Sequence, residues 1–526
     1  MKVAICILLS AAYSLFDHSS YGDFLESNQF QHHFVSEPKL PFFQFEQLLD
    51  HTASNSSRWN QSYFVDDRYF KPGGPVFLSL TGEWSLTTKG HDSSLELDLA
   101  KKHHGIVVGL EHRFYAENTT LSSNFSTSNF SYLTVEQAIF DAAAFIKSSP
   151  LNGTTTKTRW IAVGGSYAGN LAAWLRLEFP NLVYAAHSSS APILAQTDFW
   201  KYSYAVKHGI EASKVNTTCA TEWTRAVHLI DDLVDKTNGS HIVNLVGAYP
   251  EMDFRDILGI SAVFDSSVQY GRPSKLVKEL CNGTVFPALF KNASDAELID
   301  GYVDYIKFRK PTKESFKEWD TMQYAKKPDQ SIYWTWQYCK QFGFFQTSTF
   351  GHVSESYMYS KYVDNTYLQW ACNTVFGDGL KPPTSATINR KFRGLEISRY
   401  VDRIVFVNGE VDPWKYLGLT PGNPLDDAAS ANPVIIVKGG HHCSDLQVPS
   451  SNSSTGSQVA YAQIVSEWAK ILANPSTEYP PLEENEPLPS KSTAASSTLV
   501  AEPAPDRASH LMPGGYPARS GQYSRA

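Results

Sequence analysis

The run Gly164-Gly165-Ser166-Tyr167-Ala168-Gly169 sets one serine among small residues. An apolar run, Trp160-Ile161-Ala162-Val163, precedes it, and a helix-like run from Leu171 to Phe179 follows. At a strand-to-helix turn of this kind the backbone is crowded, so only small residues fit around the serine. The turn lifts the hydroxyl clear of the sheet. It also aims the Tyr167 amide and the helix N-terminus at developing negative charge. The chemistry this suits is nucleophilic attack on a carbonyl.

A serine hydroxyl needs a base to take its proton and a carboxylate to orient that base. On such a sheet the chain order is serine, acid, histidine. Asp412 lies in Asn408-Gly409-Glu410-Val411-Asp412-Pro413-Trp414, just after the apolar run 403–407. A loop at a strand's carboxyl end is where an orienting acid belongs. Glu410 is its nearest rival, and a structural turn aspartate is the bland alternative. Gly439-Gly440-His441-His442-Cys443-Ser444-Asp445 follows the next apolar run, 433–437, and offers His442 or His441 as the base. Taken alone it is a polar loop, or a metal site built from His441, His442, Cys443 and Asp445. Adjacent ligands seldom converge on one ion, so neither metal nor cofactor is expected. Gly82, in Thr81-Gly82-Glu83-Trp84 after an earlier apolar run, is the candidate for a second oxyanion amide beside Tyr167.

These residues need a frame. The runs 75–80, 105–110, 159–163 and 182–186 read as strands, and 134–147 as a helix opened by a Thr134/Gln137 capping box. Residues 20–45 read as an irregular lead-in. Strands alternating with helices indicate an α/β fold with a mostly parallel sheet covered on both faces. From 196 to 390 the chain is aromatic-rich with amphipathic stretches such as 229–234 and 296–308, which predicts a largely helical insertion. Strands return at 403–407 and 433–437. A last helix, 457–472, carries Val459, Ile464, Val465, Trp468 and Leu472 at roughly helical spacing. The expected division is a signal peptide over 1–19, core over 40–195, cap over 196–390, core again over 391–475 and a disordered tail over 476–526.

Composition narrows the partners. A net charge of -8, with 42% hydrophobic and 13% aromatic residues in 526, argues for a globular core and against nucleic acid or an anionic membrane. Lys2 followed by an apolar run to Ala12 reads as a secretory signal. Sequons begin at Asn55, Asn60, Asn118, Asn124, Asn129, Asn152, Asn216, Asn238, Asn282, Asn292 and Asn452. Both features predict a secreted or lysosomal/vacuolar protein. Beyond Cys6 in the signal, Cys219, Cys281, Cys339, Cys372 and Cys443 remain. Pairs Cys219–Cys281 and Cys339–Cys372 are favoured, leaving Cys443 free, although sequence alone does not fix the pairing.

The chain resembles the serine exopeptidase family of lysosomal Pro-X carboxypeptidase, dipeptidyl peptidase II and thymus-specific serine protease. The resemblance spans about residues 40–475. Its carriers are Gly164-Gly165-Ser166-Tyr167, Leu110-Glu111-His112-Arg113-Phe114-Tyr115, Tyr132-Leu133-Thr134-Val135-Glu136-Gln137-Ala138, the Asn408–Trp414 run and His442-Cys443-Ser444-Asp445-Leu446. It implies an α/β-hydrolase core with a helical cap inserted before the acid, and a triad of Ser166, Asp412 and His442. It implies His442 rather than His441, and a substrate pocket between core and cap with Trp414 near the residue flanking the scissile bond. Ala168 replaces a common glycine, and Gln341 stands where glutamate is frequent. Asn170 occupies a site that is often methionine in proline-specific members, where a polar group weakens an apolar fit to proline. The expected function is an exopeptidase acting on short peptides. A lipase or esterase on the same scaffold and a catalytically silent binding protein are the alternatives. Expected partners are peptide substrates, with a homodimer left open.

Overall fold

The computed structural model describes residues 40–116, 121, 129–148, 151–212, 218–262, 264–271, 292–317, 319–326, 330–354, 356–421 and 432–474. The signal peptide over 1–19, the tail over 476–526, Cys281, Asn118, Asn124, Asn216 and Asn282 lie outside them.

Eight strands form one sheet in the order β1-β2-β4-β3-β5-β6-β7-β8. They are β1 Phe42–Leu48, β2 Arg58–Asp66, β3 Val76–Leu80, β4 Ile106–Leu110, β5 Trp160–Gly165, β6 Val183–Ser189, β7 Ile404–Gly409 and β8 Val434–Val437. β1 pairs with β2, and β2 with β4, antiparallel; every pair from β4 to β8 is parallel. This is an α/β-hydrolase sheet. Its central strands read as unbroken apolar runs because both faces are covered.

Side chains alternate across each strand, so neighbours in sequence enter opposite cores. Phe77, Val107, Ile161 and Val405 meet Leu95, Leu99, Ile464 and Trp468 on one face. Val76, Leu78, Val108 and Ala162 meet Ile139, Phe145, Leu171 and Trp174 on the other. The covering helices are α1 Leu95–His103, α2 Val135–Ser148, α3 Tyr167–Glu178 and the last helix, Thr455–Ala473.

Two points correct the sequence reading. The lead-in ends in a strand, since β1 starts at Phe42 and continues into an antiparallel pair with β2. Its signal was masked at both ends of polarity. Phe42 and Phe43 are exposed, while Gln47 and Gln61 are buried and bonded to each other at 2.8 Å. The capping box of α2 is half made. The Gln137 amide donates to Thr134 Oγ1 at 3.3 Å, but the Gln137 side chain donates to Asp50 Oδ1 at 2.7 Å.

Between β6 and β7 the described residues add no strand to this sheet; they form helices. Those used below are α4 Trp200–Ala212, α5 Cys219–Thr237, α6 Asp265–Gln269, α7 Asp295–Arg309, α8 Ile332–Gln337 and α9 Asn365–Phe376, which makes the last helix α10. Trp223 of α5 stacks on Tyr302 of α7 with ring centroids 5.3 Å apart. Cys339 and Cys372 form a disulfide that ties the turn after α8 to α9, and Cys443 is a free thiol. No described helix is long and apolar enough to cross a membrane.

Candidate active site

Ser166 stands between β5 and α3 with φ +57° and ψ -130°, a conformation that costs a non-glycine residue on the order of 1–3 kcal/mol. Its neighbours hold it there. The Ser166 amide donates to Ser189 O at 2.9 Å, and its carbonyl accepts from Gly169 and Asn170 at 2.9 and 3.2 Å. The flanking glycines are sterically required. A Cβ on Gly164 would lie 2.2 Å from the Ala168 carbonyl oxygen, and one on Gly165 would lie 2.8 Å from Cys443 Sγ. The first clash is with backbone, which cannot rotate away. Gly164→Ala is therefore expected to lower the thermal midpoint by several degrees, for a cost of about 1–3 kcal/mol, and to slow modification of Ser166 by a fluorophosphonate. A thermal melt with a labelling time course checks both.

The histidine loop lies against this turn, as the Gly165–Cys443 contact requires. His442 Nδ1 meets Asp412 Oδ2 at 2.9 Å, with both side chains buried. Burial works against a charged imidazole, but the Asp412 carboxylate and then the Cys443 thiol outweigh it and hold His442 well above the usual histidine range. Asp412 Oδ1 accepts the Trp414 amide at 2.9 Å, which fixes the carboxylate at the start of a short 3-10 turn over Pro413–Leu417. The rivals are engaged elsewhere. Glu410 bonds Lys438 Nζ at 2.8 Å and the Gly439 amide at 2.9 Å near the surface. His441 Nδ1 meets the His442 carbonyl at 3.2 Å. Asp445 turns away from both histidines to His187 Nε2 at 2.8 Å and Ser189 Oγ at 2.5 Å. Of the four residues of the metal alternative, His442 and Asp445 are thus held by separate partners.

Gly82 is buried beside the turn, and a Cβ there would stand 3.4 Å from the Ala168 amide and 3.7 Å from the Tyr167 ring. Tyr167 itself is anchored by its phenol. Burial drives the His112 pKa down to about 4, so the ring is neutral. Its Nδ1–H then donates to Arg113 O at 2.7 Å, and its Nε2 accepts from the Tyr167 hydroxyl at 2.9 Å. Gln337 of α8 donates to the same hydroxyl at 2.8 Å. Arg113 in turn grips Asp141 through Nε and Nη2, each at 2.7 Å.

Trp414 is packed among Phe199, Tyr202 and Phe344, with its indole 6.4 Å from the His442 ring. Asn170 is fully buried and donates to Pro192 O at 3.1 Å. Gln341 accepts the Val135 amide at 3.0 Å and donates to Glu136 at 3.0 Å, so it caps α2. Of the sequon asparagines, Asn55, Asn60, Asn152, Asn238, Asn292 and Asn452 are exposed.

Two contributors escaped the sequence reading. Gln269, at the end of α6, accepts the His442 amide through its carbonyl at 2.8 Å. Its side-chain oxygen accepts from Tyr202 OH at 2.6 Å and Trp414 Nε1 at 3.2 Å. It thereby links the helical segment to the histidine loop, and nothing in its local sequence marks it. Glu83 is the other. Its neighbour Gly82 was legible because a turn after a strand is a recognisable place, but the burial of one carboxyl oxygen of half-buried Glu83 was not.

Residues 47–464 match the family described as Serine carboxypeptidase S28. The chain belongs to that family. Its members are serine peptidases, and so is this protein. A serine protease of Bipolaris victoriae, vicPb, is 25% identical over 77% of this chain and 84% of its own. The thymus-specific serine protease of Mus musculus is 27% identical over 81% and 87%. A protein of Arthroderma benhamiae named "Probable extracellular serine carboxypeptidase" is 25% identical over 82% and 67%. Among solved structures, a bacterial heroin esterase aligns over 89% of this chain and 92% of its own, at 10% identity and a TM-score of 0.38.

Proposed function

We propose that this S28 peptidase is a secreted or lysosomal serine exopeptidase that hydrolyses bonds near the ends of short peptides. The observation that carries the reading is the buried His442–Asp412 pair on a loop packed against the Ser166 turn. In this reading Ser166 Oγ attacks the scissile carbonyl while His442 Nε2 takes its proton. The C–N bond then breaks as the same proton passes to the leaving amine. Water, deprotonated by His442, then attacks the acyl carbon, and as the Ser166 Oγ–C bond breaks His442 returns that proton to Oγ. Asp412 keeps the proton of His442 on Nδ1. The Tyr167 amide and an amide of the Gly82 region hold the oxyanion. Trp414 forms a wall of the substrate pocket, and Asn170 shapes that pocket through its hold on Pro192. The polar Asn170 disfavours a pocket built for proline.

The exposed sequons and a relative named as extracellular support a secretory route, with glycans at the predicted asparagines and a second disulfide between Cys219 and Cys281. Digestion of a peptide library by the wild type and Ser166→Ala tests the function. Single C-terminal residues or N-terminal dipeptides among the wild-type products, absent with the variant, support it. Internal cleavage alone, or products that persist in the variant, overturns it.

A further inference from the structure

Glu83 follows Gly82 on the loop after β3. Its Oε2 is buried and has no hydrogen-bond partner, while the carboxyl takes a hydrogen bond from its own backbone amide. Three titratable groups face it. They are the His442 imidazole from the loop after β8, the Tyr115 phenol from the loop after β4 and the Tyr167 phenol from the start of α3. Burial pushes the carboxyl up to about 7, against the pull of its own amide and of His442. A buried carboxyl oxygen left unpaired is costly, so one on the loop beside the Ser166 turn marks a place that substrate completes.

The reaction says which part of the substrate that is. His442 passes its proton to the leaving amine, so a group facing this imidazole from the oxyanion loop borders the leaving residue. When the last bond of a peptide is cut, the leaving residue is a free amino acid, and its α-carboxylate sits beside that amine. We infer that the unpaired Glu83 carboxyl hydrogen-bonds the α-carboxylate of the C-terminal residue, which makes the Gly82–Glu83 loop a subsite for peptides with a free C-terminus. The inference rests on the Ser166–His442 reading above. Such a charge-assisted O–H···O⁻ bond is roughly twice as strong as a neutral one. An ionised Glu83 repels the same carboxylate.

The test compares two peptides of one sequence, ending in a free carboxylate or a carboxamide. His442 acts on both alike, so the ratio of their kcat/KM values isolates Glu83. In the wild type the free acid should be preferred by at least about tenfold near pH 5, with the ratio falling as pH rises through about 7. Glu83→Gln, whose amide donates at every pH, should keep the preference and flatten its pH dependence. Glu83→Ala should lower the ratio near pH 5 at least about tenfold. A wild-type ratio that ignores pH, or one unchanged in Glu83→Ala, overturns the inference. If Glu83→Ala does not fold, the wild-type profile and Glu83→Gln decide. Failure of the underlying reading looks different, because Ser166→Ala would then still cleave both peptides.

Discussion

Asp412→Asn should lower kcat by about 10³–10⁴-fold and leave KM within a few-fold. The carboxylate accepts twice, from His442 Nδ1 at 2.9 Å and from the Trp414 amide at 2.9 Å. An asparagine of the same shape can keep only one of these as an acceptor. With its oxygen on the Trp414 amide, it turns an NH₂ toward Nδ1 and forces the histidine proton onto Nε2. That nitrogen then cannot take the proton of Ser166. The fold should survive, since size and burial are unchanged, and circular dichroism checks that point. Steady-state kinetics on any cleaved peptide measure the loss. A reduction below tenfold would mean that Asp412 does not orient the base.

Stability should fall as pH rises from about 4 to about 8. The helical segment between β6 and β7 buries carboxyls whose partners are hydroxyls and amides rather than cations. Asp256 accepts from Tyr367 OH at 2.7 Å and from Thr321 Oγ1 at 2.9 Å. Asp231 accepts from Ser360 Oγ at 2.5 Å and from the Lys361 amide at 2.9 Å. Asp265 accepts from Tyr359 OH. Burial is the main cause in all three. It pushes Asp231 to about 6, Asp256 to about 7 and Asp265 well above the normal range.

A carboxyl with a raised folded pKa binds its proton more tightly in the folded state. Its contribution is fully present below the unfolded value near 3.8 and is lost as pH climbs through the folded value. At about 1.4 kcal/mol per unit, Asp256 alone accounts for on the order of 4 kcal/mol across that window. Asp66, held far below its normal value, acts in the opposite sense only under more acid conditions, while His112, pushed down to about 4 by burial, opposes the trend up to about its ordinary value of 6.5. Thermal midpoints should decline most steeply above about pH 6.5, where His112 no longer opposes the carboxyls, and Asp256→Asn should flatten that slope. A midpoint that rises toward pH 8 would contradict the burial argument. Stability in acid goes with the protonated Glu83 that the carboxylate subsite requires.

How far these features could be read in advance depended on whether their signal was local. The core strands were legible because a parallel sheet covered on both faces needs continuous apolar runs, as in Ile404–Gly409. The positions of Ser166, Asp412 and His442 after core strands were legible because each follows such a run at a turn of recognisable composition. β1 and β2 were not, since their register is held by buried glutamines that look like surface residues in a sequence. Gln269 was invisible for another reason. Its role exists only once α6 is brought to a loop more than 160 positions later, and no periodicity encodes that meeting. Glu83 stood in plain view, but its significance lies in desolvation by distant side chains.

The central claim is that Ser166 is made nucleophilic by His442. A fluorophosphonate reports that state directly, because its phosphorus is attacked by the activated oxygen. Mass spectrometry of the labelled, digested protein should find one adduct, on Ser166, formed faster as pH rises and His442 loses its proton, and none in Ser166→Ala. An adduct on another residue, or labelling of Ser166→Ala at the wild-type rate, would contradict the account.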